Sequence, residues 1–303
     1  MASVQVLLST WNGEAWLPEL LDSLQQQSFT DWELLVRDDG SQDQTVKLLL
    51  EWQQQHPDKL VCLELDGQHL GSSHSFSALV EISTAPFLMF CDQDDVWFQD
   101  KIALEYAAIT ALCAGQDESK PVLVHSDLTL VNENKTLMTP SFWQWRGFDV
   151  YQPKRDYLLT NTVSGCAAIF NRAAAQMAFP LPQGVLHHDR WLGLVCAWFG
   201  IVHPLEQQLL FYRQHGDNAI GAGLAGHQHV SAESIPLRLR SWSQQAEVFL
   251  HEFGDALSVE DYCLIEALAE LQHLKGWELR KHILQHRLFK RGVVANLALL
   301  WFA

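Results

Sequence analysis

An α/β fold built on a mostly parallel sheet, with helices on both faces, is what this sequence predicts, and three observations predict it. Continuous apolar runs of strand length recur through the first hundred residues. Each is followed by a segment with apolar residues at helical spacing, and most end in an acidic or polar turn. Strands that alternate with helical stretches of roughly 10 to 15 residues need crossover connections, which lay helices against a parallel sheet.

The first strand is Val4 to Thr10, VQVLLST. After a Trp-Asn-Gly turn, Ala15 to Gln27 sets Leu17, Leu20, Leu21 and Leu24 on one helical face. Pro18 falls in the first turn, where its missing N–H costs nothing. Trp32 to Arg37 is a second strand, closed by Asp38-Asp39-Gly40-Ser41, and Asp43 opens a helix through Gln55 with Val46, Leu49, Leu50 and Trp52 on its apolar side. KLVCLEL is a third strand, Ser75 to Ile82 a third helix, and APFLMFCD a fourth strand that runs into Asp92-Gln93-Asp94-Asp95. Beyond residue 100 the pattern loosens. Pro121 to Asn132 alternates like a strand, Thr162 to Asn171 reads as another, Leu192 to Phe199 is an apolar helix, and from about residue 231 the text is helical. The Gly- and Ala-rich stretch Asn218 to Gln228 is the best linker. The chain therefore divides into a domain over residues 1–225 and a C-terminal helical extension over 226–303.

Composition bounds the function. Of 303 residues, 48% are apolar and 18% charged, which excludes disorder and collagen; 36 acidic against 20 basic residues give a net charge of −16. Nucleic-acid binding rests on many basic contacts to phosphate, so this balance argues against it. The charge is uneven, because residues 272–303 carry Lys275, Arg280, Lys281, Arg287, Lys290 and Arg291 against Glu278. The opening MASVQVLLSTWN has no basic n-region and reads as a strand, not a signal peptide. Apolar stretches such as Val293 to Ala303 fall short of the roughly 20 residues a spanning helix needs. A cytoplasmic protein is expected. Its six cysteines are scattered without a CxxC pair and read as buried thiols.

Ligands of open α/β sheets bind at the carboxyl ends of the strands. Here those ends carry Ser9-Thr10-Trp11-Asn12-Gly13, the Asp38-Asp39 pair and three carboxylates within Asp92-Gln93-Asp94-Asp95. Acids at that density repel one another unless a cation lies between them, and hard oxygen ligands suit Mg²⁺ or Mn²⁺ together with substrate phosphates. No GxGxxG follows the first strand and no GxxxxGK[ST] occurs anywhere, so the dinucleotide fingerprint and the P-loop are both excluded. A phosphatase with Asp92 as nucleophile is an alternative; Val96-Trp97 stand where such enzymes usually carry a threonine.

LLSTWNGEAWLPELLDSLQQQSFTDWELLVRDDGSQDQT, followed by FLMFCDQDDVW, resembles family 2 glycosyltransferases of the GT-A fold over about residues 3–225. HSDLTLVN, NTVSGCAAIFN, HHDRWLGLVCAWFG and FYRQHGDNAIGA are similar to the rhamnosyltransferase-like branch of bacterial polysaccharide biosynthesis. The resemblance implies a nucleotide-binding half over 1–110 and an acceptor-side half over 111–225. It implies a nucleotide-sugar donor, dTDP- or UDP-linked, and a lipid-linked or polysaccharide acceptor such as an O-antigen or capsule precursor. By position, Asp39 accepts a hydrogen bond from the base, and Ser9, Thr10, Trp11 and Asn12 form the loop beside it, with Trp11 where most relatives carry Tyr. Asp92 meets the ribose and shares the metal site with Asp94, which holds Mg²⁺ or Mn²⁺ on the diphosphate; Asp95 supports them or lies on the acceptor side. His69 to Ser77 departs from relatives that carry Asn and Arg there.

Inverting transfer needs one carboxylate to deprotonate the acceptor on the face opposite the leaving group. The family places that acid where this chain has His188-Asp189-Arg190-Trp191, so Asp189 is the expected base; read without the resemblance, Asp189 is equally a helix N-cap. His187 and His188 lack a third ligand at helical spacing and do not make a metal site. Arg213 and His215 belong to a segment that closes over the diphosphate in relatives, with a solvated loop as the alternative. Gly165 lets an acceptor approach the backbone, and Trp143, Trp145 and Trp191 are candidates to stack on sugars. A non-catalytic nucleotide-sugar binding protein and a family 2 transferase of other donor specificity are the competing functions. The basic, aromatic segment 272–303 either lies on the anionic inner face of the cell membrane or packs on the domain with its basic face in water.

Overall fold

The computed structural model describes residues 2–216 and 234–289. The linker Asn218 to Gln228 and the last residues of the basic tail, 290–303, lie outside the described residues. Two compact units emerge. The first comprises Met1–Tyr151, Thr162–Leu181 and His187–Ala222; the second comprises Gln152–Asn161, Pro182–Leu186 and Gly223–Ala303.

In the first unit, β1 (Val4–Thr10), α1 (Leu17–Gln25), β2 (Trp32–Asp38), α2 (Thr45–Gln55), β3 (Leu60–Glu64), α3 (Ser72–Ile82) and β4 (Phe87–Asp92) alternate as expected. All pairings among these four strands are parallel, in the order β3-β2-β1-β4. Val4, Val6, Leu7, Leu8, Leu34, Leu35, Val36, Leu88 and Met89 are buried, which is why these strands read as continuous apolar runs rather than alternating ones. The α1 helix buries Leu17, Leu20, Leu21 and Leu24, the face its spacing predicted.

The second half of the sheet is mixed. β5 (Val96–Trp97) follows β4 closely, α4 (Lys101–Cys113) crosses back, and β6 (Val122–Asn132) leads through β7 (Leu137–Thr139), α5 (Phe142–Arg146), β8 (Ala168–Asn171) and α6 (Arg172–Ala178) to α7 (His188–Phe199) and β9 (Ile201–Gln214). The complete order is β3-β2-β1-β4-β8-β6-β9-β5, with β7 paired to β6. β8 runs antiparallel to both of its neighbours, and β6 runs parallel to β9. The strand expected over Thr162 to Asn171 is shorter than predicted, because Gly165–Ala167 is a 3₁₀ turn before β8 begins.

In the second unit, α8 (Ser234–Phe253), α9 (Val259–Ala269) and α10 (Gly276–Gln285) pack around Leu239, Trp242, Phe249, Ile265, Leu268 and Ile283. Lys154 pairs with Asp261 at 2.7 Å, which attaches the 152–161 segment to α9. α10 buries Leu279 and Ile283; Trp277 and Leu284, with Lys281 between them at helical spacing, are exposed. No described helix is long and apolar enough to cross a membrane.

Candidate active site

Strand register builds the site. Ser9 pairs with Arg37 on one side and Asp92 on the other, and Thr10 pairs with Asp38, so the ends of β1, β2 and β4 form one edge. Asp38 organises that edge: one of its oxygens takes the Thr10 hydroxyl at 2.9 Å, the other the backbone N–H of Ser41 at 2.8 Å. Asn12 adopts a positive φ of 47°, donates its N–H to the Ser41 hydroxyl at 2.8 Å, and accepts from the Gln42 N–H at 2.8 Å. Asn12 thus staples the first turn to the second. Gln93 exchanges two hydrogen bonds with the backbone of Trp11, at 2.8 and 2.9 Å, and leaves the indole half exposed at the sheet edge.

Asp39 is buried, and its carboxylate accepts from the backbone of Leu70 and Gly71, from Ser75 and from Arg37. Burial alone would raise its pKa, but these donors outweigh burial and hold it below the usual aspartate value. Arg37, itself buried, extends to Asp66 at 2.9 Å.

Behind this edge lies a carboxylate cluster. Burial, then the charges of Asp94 and Asp189, push Asp92 up to about 7. Asp95 is fully buried with both carboxylate oxygens lacking a hydrogen-bond partner, and burial with the charges of Asp94 and Asp92 raises it well above an ordinary aspartate. Ligand atoms of Asp92, Asp95 and Cys166 all lie within 4.8 Å of one another. Burial also pushes the Cys166 thiol up, so it remains protonated and suits a hard cation poorly. Cys166 is a neighbour that sequence reasoning missed; its only signal was an apolar setting shared by most of the cysteines.

Asp94 lies at the rim, and its Oδ2 is 2.9 Å from Nε2 of His215. His215 is held by stacking on Trp16, with ring centroids 4.7 Å apart and planes 24° apart. Trp16 itself was not anticipated. A carboxylate oxygen and an imidazole nitrogen that converge beside buried, mutually repelling acids form a donor set that fits a divalent cation such as Mn²⁺.

Arg213 has a different place from the one its segment suggested. It ends β9 as a strand residue, is buried, and its guanidinium bonds to the Asp94 carbonyl at 3.0 Å, the Glu133 carbonyl at 2.8 Å and the Glu19 carboxylate, with Trp16 4.8 Å below it. It braces the rim and presents no diphosphate contact of its own in this arrangement.

Asp189 approaches from the opposite side on α7. The cap of this helix is His187, without a side-chain bond, and Asp189 falls inside the first turn, so the N-cap reading does not hold. Its charge is one of the influences that raise Asp92, which places the two acids in the same site. Gly165 serves this approach: a Cβ there would stand 2.9 Å from Nε2 of His188 and 3.4 Å from Cβ of Asp189. The space above Gly165 is therefore taken by α7, a correction to the expected acceptor passage. His188 is wedged between Phe76 and Phe90, at 4.5 and 4.7 Å, and burial lowers it to about 4. Of the tryptophans considered for sugar stacking, Trp191 is fully buried with its N–H on the Ala178 carbonyl at 3.0 Å, and Trp143 and Trp145 pack in or against the core. The exposed indole is Trp11.

Residues 5–178 match the family described as glycosyl transferase family 2, more than half of the chain. The chain belongs to that family. Among its relatives is dTDP-rhamnosyl transferase RfbG of Shigella flexneri, 33% identical over 98 residues, a match that covers 31% of this chain and only 34% of that protein. The fold is GT-A. TarS of S. aureus, solved with UDP-GlcNAc, superposes with a TM-score of 0.57 at 17% identity over 99% of this chain and 79% of TarS. The mannosyltransferase PcManGT of Pyrobaculum calidifontis, solved with GDP-Man and Mn²⁺, gives 0.57 at 17% identity over 98% of this chain and 78% of its own. This family 2 glycosyltransferase takes part in bacterial polysaccharide biosynthesis.

Proposed function

We propose that the chain is an inverting, metal-dependent transferase that moves a sugar, rhamnose from dTDP-rhamnose, onto a lipid-linked or growing polysaccharide acceptor. The observation that carries this is the pairing of Asp189 on α7 with the acid cluster at the end of β4. One carboxylate stands apart from the rim group Asp94 and His215, as an inverting transfer needs. Asp189 takes the proton of the attacking hydroxyl, the new glycosidic bond forms at the anomeric carbon, and the bond to the diphosphate breaks with its electron pair on the departing oxygen. Asp94 and His215 would hold Mn²⁺ or Mg²⁺, which offsets the charge of that leaving group. Ser9, Trp11 and Asp92 line the donor side, and Thr10 and Asn12 shape the turns beneath it. The dTDP-rhamnose assignment is supported by the likeness to RfbG.

A lipid-linked acceptor is available at the inner face of the cell membrane, so we also propose a cytoplasmic location with peripheral contact through residues 272–303. The test of the enzyme reading is transfer from dTDP-, UDP- and GDP-sugars with and without Mn²⁺. Asp189→Asn should lower turnover by about 10²- to 10⁴-fold, the usual worth of a general base, with nucleotide binding retained. Asp94→Ala should lose the response to Mn²⁺. Near-normal turnover of Asp189→Asn would refute the base assignment.

A further inference from the structure

The expected base contact, Asp39, is already saturated. An ionised carboxylate offers about four lone-pair sites. Five donors converge on this one: Arg37 Nη1 at 2.5 Å, Leu70 N at 2.7 Å and Ser75 Oγ at 3.0 Å on Oδ1, with Gly71 N at 2.8 Å and His69 Nδ1 at 2.9 Å on Oδ2. The side chain is 3% exposed. A nucleobase would have to displace one of these donors in order to bond there, and each is held by backbone or by the buried Arg37.

His69 is placed differently. Its side chain is 63% exposed, and its ring lies 5.4 Å from that of Trp11, with planes 43° apart. Its Nδ1 is also 3.2 Å from the Asp39 carbonyl. Carboxylate and carbonyl oxygens only accept, so the proton of the neutral imidazole sits on Nδ1 and Nε2 is left as an acceptor. Asp39 therefore fixes a tautomer instead of reading a base.

We propose that His69 is the residue that selects the donor's base. This rests on the nucleotide-sugar reading above. A base stacked on Trp11 turns its edge toward the imidazole, and the N3–H of uracil or thymine donates to Nε2. Cytosine presents a lone pair at N3, so two acceptors would face each other with both left unpaired, which is the strongest form of discrimination a polar contact provides. The arrangement makes the enzyme specific for uridine or thymidine diphosphate sugars.

Calorimetric titration of the full chain with UDP, dTDP, CDP and N3-methyl-UDP in the presence of Mn²⁺ tests this, with His69→Phe as the variant, because it keeps a ring beside Trp11 and removes the acceptor. The wild type should bind UDP or dTDP about tenfold or more tightly than CDP and N3-methyl-UDP, a difference on the order of one hydrogen bond. His69→Phe should bind all four within about threefold of one another, the preference having gone with the acceptor. Retained preference in His69→Phe, or a wild type that accepts the N3-methylated nucleotide as well as UDP, overturns the role of His69 while leaving the transferase reading intact. A wild type that binds none of the four overturns both.

Discussion

His125 shows what burial does to a single titratable residue. It is fully buried on β6, its ring lies 5.1 Å from Trp143, and neither ring nitrogen has a hydrogen-bond partner. Burial, and then the charge of His203, lower its pKa to about 3. An unfolded chain would bind that proton near pH 6.5. Between these values the unfolded state holds a proton that the native state refuses, so stability is complete above about pH 6.5 and falls as the pH drops toward 3. The slope approaches about 1.4 kcal/mol per pH unit for the group, and His188, lowered to about 4, acts with the same sign. Thermal melts from pH 7.5 to 4.5 should therefore fall less steeply for His125→Phe than for the wild type; parallel curves would show that His125 is not the group responsible. Nothing in the sequence marks this histidine, because the alternating run that predicts β6 does not say that both of its faces are covered.

At the scale of elements, the link between α7 and β9 is the tightest turn near the site. Gly200 closes α7 with its N–H on the Cys196 carbonyl, and Ile201 begins β9 by donating to the Pro121 carbonyl, both at 2.9 Å. A Cβ on Gly200 would stand 1.8 Å from that same Pro121 oxygen. Backbone cannot yield as a side-chain tip can, so Gly200→Ala should cost at least the upper part of the roughly 1–3 kcal/mol typical of overpacking. Urea denaturation reads the loss directly, and an unchanged midpoint would refute it. The four parallel strands and their helices were legible because each strand is an apolar run and each early helix has one apolar stripe. The second half was harder to read. α4 scatters its apolar side chains around the helix, and the solvent-facing Glu206, Gln207 and Gln208 interrupt β9, so neither yields a clean period. The acids of the site were legible as strand ends; Cys166, Trp16 and His69 were not, because their roles come from neighbours 72 to 199 residues away or from a loop whose path the sequence leaves open.

For the whole molecule, the net charge of −16 conceals two surfaces. Strand-end acids gather in the first unit, where they repel one another and raise Asp92 and Asp95. The second unit carries α10, whose exposed Trp277 (74%), Lys281 and Leu284 combine an aromatic, a cation and an aliphatic group on one face, beside exposed Lys275 and Arg287. Such a face suits the headgroup region of an anionic bilayer. Co-sedimentation should show binding to phosphatidylglycerol vesicles that weakens with salt and is lost in Trp277→Ser/Lys281→Glu, with little binding to phosphatidylcholine; unchanged binding by the double variant would refute the contact. Arg213 has a consequence for the order in which the site comes into being. Through this one side chain the end of β9 reaches back to Glu19, Asp94 and Glu133, residues made up to 194 positions earlier. A ribosome that has delivered residues 5–178, the stretch common to the family, has made every acid of the donor side but not Asp189, Arg213 or His215. Through that interval of synthesis, a nascent chain with its nucleotide edge in place has neither a base nor a brace, and remains chemically silent until its last strand is in place.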